Sequence, residues 1–286
     1  MTNDQIRRNF LENMETKSKE ENSSTSSLPD RNFPYKRRSP KPDVMSTMTL
    51  TVIVIFTLFD AAGSQITPSN TPVFERPNCE NPQLDNRMRE QFLDGHNQRR
   101  SSLARGETES NGNRTLIQNI RKHPRAGNYH SIAPPATNMY RMRYSCDAET
   151  YAQQHANSCN RTVQPPYARP GYKENTFVYR NPLATPAAAG LAAMADWWSE
   201  LATYGMRTDM LFTQGVRTRE TRRVTKWAKM AWWNNNLVGC GLKHCGKYYL
   251  VVCMYRPGGN DVGRKVYNIG PVCAECPTTC YEGLCN

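Results

Sequence analysis

Apolar and aromatic runs divided by short polar turns dominate residues 224–263. Three such runs, at residues 227–233, 237–242 and 247–255, are separated by Asn-rich and Gly-rich segments. This spacing predicts three consecutive antiparallel strands. A Pro-Gly-Gly turn at residues 256–260 follows the last run, and such a turn ends a strand. The stretch is therefore predicted to form the sheet on which the remaining chain packs.

Three segments upstream carry the periodicity of amphipathic helices. The first is predicted at residues 86–105, the second opens at Cys146, and the third follows Pro186 at its first helical position. The residues expected to cap or stop the first and third helices are Asp85, Gly106, Thr185 and Gly205. Residues 107–137 show no sustained period and are predicted to form a long surface loop.

The cysteines and one apolar segment indicate an exported protein. All ten cysteines lie at or after Cys79, and an even number of cysteines is typical of a disulfide-bonded extracellular chain. The apolar residues 50–59 precede small residues at 60–64, and this run is about half of the roughly 20 residues that span a bilayer. A signal peptide at residues 48–64 is therefore predicted rather than a transmembrane helix.

Residues 1–47 form a polar, Ser-rich and charged extension that would build no core. Two interpretations stay open: an extension from a misplaced start, or a cytoplasmic tail on a short signal anchor. Residues 65–78 contain several prolines and are predicted to be a linker. The folded part is expected to begin at Cys79.

Of the net charge of +12, +11 belongs to the predicted exported part, because residues 1–64 carry nine basic and eight acidic residues, 9 − 8 = +1. Several cations lie close together in sequence: Arg217, Arg219, Arg222, Arg223, Lys226 and Lys229. A solvated basic face is the simpler interpretation, and attraction to sulfated glycans, anionic lipid or acidic partners is the sharper one. Nucleic-acid binding is not predicted, because an exported chain without a recognised module lacks the setting for it.

No catalytic motif stands out. Cys273 and Cys276 form a CxxC pair, which in this cysteine-rich chain favours a disulfide over zinc or redox chemistry. The five histidines show no HExxH spacing and GxSxG is absent, so neither a metal nor a cofactor is predicted. Sequons at Asn113 and Asn160 are candidate N-glycosylation sites.

Several short motifs, taken in order, resemble the CAP superfamily (also called SCP/TAPS), and in particular the secreted venom-allergen-like proteins of parasitic nematodes. They are Gly95-His96-Asn97 with Arg99-Arg100, Lys173-Glu174-Asn175, Trp198-Ser199-Glu200, Met230-Ala231-Trp232, Gly239-Cys240-Gly241, Tyr255-Arg256-Pro257-Gly258-Gly259-Asn260 and the C-terminal CxxCPxxxCxxxxC. The resemblance covers residues 79–285.

The resemblance implies an α+β fold, an α-β-α sandwich with a small antiparallel sheet between helical layers. It divides the chain into a CAP domain at residues 79–268 and a cysteine-rich hinge at residues 269–286. It also implies five disulfides, which pair Cys79 with Cys146, Cys159 with Cys245, Cys240 with Cys253, Cys273 with Cys280, and Cys276 with Cys285.

The family's central cavity usually carries two histidines and two glutamates that hold a divalent metal. Glu174 and Glu200 match the acidic positions, whereas Lys226 stands at one histidine position and the other falls near residues 163–164. One hypothesis is that Lys226, with Lys229, places an ammonium between the two carboxylates, which would otherwise repel each other. The alternative is a decayed site whose lysines point to solvent.

The expected function is therefore a secreted, non-enzymatic CAP-domain protein that acts as an extracellular or host-directed immunomodulatory binding module. Its predicted partner is an extracellular protein or lipid ligand, with sulfated glycans or anionic surfaces as further candidates. A sterol or lipid carrier is the second hypothesis. An extracellular hydrolase is the third, and the absence of the family's histidines argues against it.

Overall fold

The computed structural model of the chain describes residues 72–110 and 131–286. The predicted extension, the signal peptide and the sequon at Asn113 lie outside these ranges. Within them, no helix combines the length and apolar character needed to cross a membrane.

Three long helices are present: α1 (Asn86–Ala104), α2 (Cys146–Asn157) and α3 (Pro186–Tyr204). Each begins at a side chain that caps it. The Asp85 carboxylate accepts a hydrogen bond from the backbone N–H of Met88, and the hydroxyls of Ser145 and Thr185 cap α2 and α3 in the same way. The three predicted helices are therefore confirmed.

The central sheet has four strands: β3 (Arg143–Tyr144), β4 (Lys173–Tyr179), β6 (Leu237–His244) and β7 (Tyr249–Arg256). They lie in the order β3-β6-β7-β4. β7 pairs antiparallel with both neighbours, and the short β3 runs parallel to β6. Two of the three strands predicted in residues 224–263 are therefore confirmed.

The third predicted strand, at residues 227–233, is wrong: this run belongs to helix α5 (Thr225–Ala231). Trp227, Ala228, Met230 and Ala231 are all buried, which is the i, i+1, i+3, i+4 pattern of a helix with one face in the core. The aromatic content of the run favoured a strand, and packing decided otherwise.

The predicted surface loop at residues 107–137 is only partly a loop. Strand β1 (Glu109–Ser110) pairs with β2 (Ser131–Ile132), and Ala133 and Ala136 after them are buried in the core. The remaining short elements are a 3-10 turn at Pro166–Ala168, β5 (Leu211–Phe212), α4 (Gln214–Arg217), β8 (Arg264–Lys265), β9 (Cys280–Tyr281) and β10 (Leu284–Cys285).

The two faces of the sheet bury different layers. On β7, Val251 and Tyr255 face the cluster formed with α1 and α3, whereas Leu250 and Val252 pack against α2 on the opposite face. This alternation follows from the two-residue period of a strand. Helices therefore cover both faces, and the predicted α-β-α sandwich is confirmed.

Glycines bring α2 unusually close to the sheet. A Cβ on Gly241 of β6 would lie 2.6 Å from the Cα of Gln153, and one on Gly239 would overlap the backbone of Glu149. Only glycine allows this approach. The helix and the sheet therefore meet backbone against backbone.

Five disulfides use all ten cysteines. They join Cys79 to Cys146, Cys159 to Cys245, Cys240 to Cys253, Cys273 to Cys280, and Cys276 to Cys285, the same pairs that the resemblance implies. The Cys240–Cys253 link joins directly opposed residues of β6 and β7.

Candidate functional site

Glu174 lies on the edge strand β4 and is 3% exposed. Its Oε2 atom lies 2.7 Å from Nδ1 of His155. Its Oε1 atom accepts a hydrogen bond from the backbone N–H of Gln164 and lies 3.6 Å from Nε of Arg169. Both carboxylate oxygens are thus engaged by groups of this chain. Near residues 163–164, where the resemblance implies a histidine, the backbone N–H of Gln164 contacts Glu174 instead.

His155 on α2 has both ring nitrogens engaged. Nδ1 faces the Glu174 carboxylate, and Nε2 lies 2.9 Å from the carbonyl oxygen of Asn160. Both partners are acceptors, so both nitrogens must donate, which requires the imidazolium form. Burial opposes this charge, but the Glu174 hydrogen bond and charge outweigh it, and the pKa of His155 is raised.

Glu200 on α3 caps the N-terminus of α5 from a distance in sequence. Its Oε2 atom accepts hydrogen bonds of 2.9 Å from the backbone N–H groups of Lys226 and Trp227. The residue at the N-cap position of α5, Val224, has no side-chain acceptor that could cap the helix. Burial raises the pKa of Glu200 to about 7, although the Trp227 amide and the nearby lysines act against the shift.

The structure corrects the position expected for Lys226. Its ammonium lies 3.6 Å from Oδ2 of Asp196, where both side chains are partly exposed, and not between Glu174 and Glu200. An ion pair this exposed contributes little to stability. Lys226 therefore belongs to the rim of the site.

Lys229, one helical turn further along α5, is the second ammonium in this region, and the charges of both carboxylates act on it. Burial lowers its pKa to about 8, and the charges of Glu200 and Glu174 oppose this while Lys226 and Arg169 add to it. Within residues 72–110 and 131–286, no carboxylate oxygen lies within ion-pair distance of its ammonium. Lys229 thus supplies a positive charge that no ion pair neutralises, within range of the charges of Glu200 and Glu174.

These residues do not fit a divalent metal. Zinc needs neutral imidazole nitrogens or free carboxylate oxygens, yet His155 uses both nitrogens and Glu174 uses both oxygens. Glu200 holds a helix terminus with one oxygen, and the cations Arg169 and Lys229 add charge that repels a metal ion. The cavity carries its own cations where the resemblance implies a metal.

A second buried cluster centres on the Gly95-His96-Asn97 motif. His96 Nδ1 donates to the carbonyl of Phe92 at 2.7 Å, so Nε2 accepts from the hydroxyl of Tyr255 at 2.9 Å. Asn97 exchanges hydrogen bonds with the backbone of Met142. Burial lowers the pKa of His96 to about 4. These groups are internally satisfied and hold α1 against the sheet.

Arg100 of the same motif is fully buried and donates five hydrogen bonds to four backbone carbonyls, those of Tyr140, Met230, Trp232 and Trp233. It fixes the chain on leaving α5, and so positions the helix that carries Lys226 and Lys229. Its role is structural.

A polar groove of about 590 Å³ opens beside Glu200. Acidic, basic and hydroxyl groups mix along it: Asp196, Ser199, Glu200, Glu220, Arg222, Arg223 and Lys226. This places part of the basic run predicted from sequence at the mouth of the site.

In the hinge, the sulfurs of Cys273, Cys276 and Cys280 lie within 4.8 Å of one another. All three are in disulfides, and a metal is bound by the thiolate, not by a disulfide sulfur. The CxxC pair is thus part of two cross-links.

The chain matches the CAP family, the cysteine-rich secretory protein family, over residues 93–255. Because this match covers more than half of the chain, the protein belongs to that family. The α-β-α sandwich with its disulfides agrees with this assignment.

Among relatives, the chain is 31% identical over 211 residues to the Ancylostoma secreted protein of Ancylostoma caninum, covering 72% of this chain and 46% of that protein. It is also 31% identical over 166 residues to cysteine-rich secretory protein 2 of Homo sapiens, covering 54% of this chain and 63% of that one. The chain therefore spans less than two thirds of the length of these relatives.

Two solved structures are similar. The crystal structure of NaASP2 with Zn2+ has 29% identity and a TM-score of 0.63, covering 73% of this chain and 100% of that one. The crystal structure of Na-ASP-1 has 29% identity and a TM-score of 0.65, covering 75% and 51%.

Sequence reasoning missed the His155–Glu174–Arg169 cluster. The three residues lie on α2, after the 3-10 turn and on β4, and no sequence motif links them. The available signal was a histidine on the buried face of an amphipathic helix, which by itself is typical of a core position.

Proposed function

We propose that this protein is a secreted, non-enzymatic CAP-domain module that acts by binding at an extracellular or host surface as an immunomodulatory effector. The observation that carries the proposal is the engagement of Glu174 and His155 with each other and with the chain around them. A catalytic carboxylate or imidazole must present a free atom to a substrate. Here the atoms with the strongest acid–base character are used to hold the fold.

A hydrolase is disfavoured on the same ground. Nucleophilic catalysis requires a hydroxyl or thiol hydrogen-bonded to a free base, and the ten cysteines are all in disulfides. Glu200, with one oxygen bound to two backbone amides, serves α5 as a cap. Metal-assisted hydrolysis would need a cavity that accepts a cation, and this one holds Arg169 and Lys229.

Lys229 takes the role first assigned to Lys226, as the resident cation of the cavity. An ammonium near Glu200 and Glu174 reduces the repulsion between the two carboxylates. It does so without a metal, so the site would be independent of zinc supply.

The proposed secretion follows from the cysteines, because five disulfides persist in an oxidising compartment. Glycosylation at Asn160 fits that setting. Its side-chain oxygen accepts from the N–H and the hydroxyl of Thr162, at 3.1 and 2.8 Å, in an exposed turn. The acceptor residue of the sequon is therefore on the surface.

A lipid carrier is the second candidate, and one apolar groove favours it. The groove measures about 370 Å³ and lies between the start of α1 and the β6–β7 hairpin, with Leu84, Met88, Leu242 and Tyr249 along it. Its volume is within the range of small-molecule sites. Binding of a fluorescent sterol and a fluorescent fatty acid by the purified protein tests this candidate directly.

The main proposal is tested by a turnover screen of the secreted protein against broad peptide and ester substrate libraries. The expected result is no turnover above buffer. Turnover that disappears in Glu174→Ala, with the fold retained by circular dichroism, would show an enzyme and refute the proposal.

A further inference from the structure

One groove lies away from the Glu174 cavity. It runs between the turn after α5 and strand β8, with a volume of about 550 Å³, and is lined in part by Trp233, Asn234, Arg264, Lys265 and Asn268. Trp233 is partly buried and packs on the core. An aromatic side chain beside amides and cations can bind a ring that carries polar and anionic substituents. The aromatic face packs against the ligand ring, while the amides and cations bind its substituents.

The two cations of this groove are available. Arg264 and Lys265 are both exposed, and neither makes an ion pair with any residue that the structure describes. The nearby acids are already engaged: Asp261 lies 2.9 Å from the ammonium of Lys173, and Glu275 accepts a hydrogen bond from Asn268. The groove therefore carries two cations without an ion-pair partner beside one lining acid, Asp261, which is held by Lys173.

One wall of the groove, strand β8, pairs with a strand that leads into the basic segment of the chain. β8 pairs with β5, with Leu211 opposite Lys265 and Phe212 opposite Arg264. The chain passes from β5 directly into α4, which ends at the basic residue Arg217. Strand pairing thus brings Arg264 and Lys265 beside the chain that leads into the basic run, although the two are far apart in sequence.

We propose that the groove between Trp233 and β8 is a binding subsite for a sulfated saccharide. Arg264 and Lys265 bind sulfate groups, Trp233 packs against a sugar ring, and Asn234 and Asn268 meet its hydroxyls. The guanidinium of Arg264 matches the geometry of an oxyanion particularly well. This inference rests on the proposed extracellular binding role and deepens it by naming a partner class and a surface.

Calorimetric titration of the full secreted protein with a heparin-derived octasaccharide tests the proposal. The double substitution Arg264→Ala/Lys265→Ala is expected to weaken binding by at least about tenfold, since two charge-assisted contacts are lost. The matched control is Lys243→Ala/Lys247→Ala, which removes two exposed cations at the opposite end of the β6–β7 hairpin. The control is expected to change affinity by less than about twofold.

A chemically desulfated octasaccharide separates the contribution of the sulfate groups from that of the sugar ring. It should bind much more weakly to the wild type and equally weakly to both double variants. Equal losses in the two double variants would mean a general charge effect and would overturn the proposal. So would loss only in Arg222→Ala/Arg223→Ala, absence of octasaccharide binding, or binding restricted to phosphatidylserine vesicles. None of these binding results bears on whether the protein turns over a substrate. The turnover screen therefore tests the proposed non-enzymatic function independently of this binding subsite.

Discussion

The Nδ1 atom of His155 lies 2.7 Å from the Oε2 atom of Glu174, in a place where neither side chain is exposed to solvent. Since the other ring nitrogen faces a carbonyl oxygen, the pair is an imidazolium bound to a carboxylate. The resemblance implied histidines as metal ligands in this family, whereas the geometry of this histidine is that of a cation.

The charge state of His155 can be measured. Its raised pKa means that the folded chain holds the proton more tightly than the unfolded chain, so the pair stabilises the fold below about pH 6.5 and this contribution is lost as the pH rises through the folded pKa. Nitrogen NMR of the imidazole should show two protonated nitrogens at about pH 6.5. In Glu174→Gln the pKa should fall, and an unchanged titration would contradict the pairing.

His96 should behave in the opposite way. It stays neutral in the fold down to about pH 4, whereas the unfolded chain binds a proton below about 6.5. Stability is therefore lost as the pH falls through this interval, by up to about 1.4 kcal/mol for each unit. Denaturant unfolding at about pH 7 and about pH 5 measures it.

The control for this measurement is His96→Gln, which cannot titrate and should show a smaller pH dependence. The comparison between variants is needed because Glu200, with its raised pKa, acts oppositely: stability falls as the pH rises from about 4.5 to 7. Identical pH dependence in the two proteins would contradict the neutral state of His96.

Zinc should not bind tightly at the Glu174 cavity. Calorimetric titration near neutral pH is expected to show no stoichiometric binding, because the donors are engaged and Lys229 repels a cation. Lys226→His should not create affinity either, since this position faces Asp196. Tight one-to-one binding that is lost in Glu174→Gln would refute the resident-cation hypothesis.

Arg100 should be among the most sensitive positions in the described part of the chain. Arg100→Met removes five hydrogen bonds and takes away the donor of the Tyr140 and Met230 carbonyls, whereas those of Trp232 and Trp233 keep the N–H groups of Asn235 and Tyr140. It is expected to destabilise the protein by at least about 3 kcal/mol. The exposed Arg87→Met on the same helix is the matched control and should change stability by less than about 0.5 kcal/mol. Chemical denaturation compares the two, and similar values would contradict the role assigned to Arg100.

The glycines of β6 provide a packing test. Gly241→Ala places a methyl group 2.6 Å from the Cα of Gln153, and overpacking against backbone should destabilise the fold by about 2 kcal/mol or more. Gly215→Ala in α4 meets nothing closer than 3.8 Å and should be tolerated. Thermal unfolding of both variants decides whether α2 and the sheet are as close as described.

Local signals predicted much of this fold. Asp85 and Thr185 cap their helices, and the apolar run in β7 forms a strand, because each signal acts within a few residues of its target. The strand predicted at residues 227–233 failed for the complementary reason. The helix α5 is capped by Glu200, which lies on another element, and no local pattern contains that contact.

The candidate site was predicted in composition but not in arrangement. Glu174, Glu200 and Lys229 were all named from the resemblance, yet the partners of Glu174 depend on how α2 and β4 pack. The direction of Lys226 likewise depends on the exposed Asp196 of α3. Such contacts arise from tertiary packing and are not encoded by spacing along the chain.

The cross-link between Cys79 and Cys146 spans the interval from residue 111 to residue 130. A single cut of the main chain within that interval would leave two fragments that stay covalently joined. The mass on a non-reducing gel would not change, and two bands would separate only after reduction. A protease that cuts the chain once within this interval would therefore not release either fragment from the other.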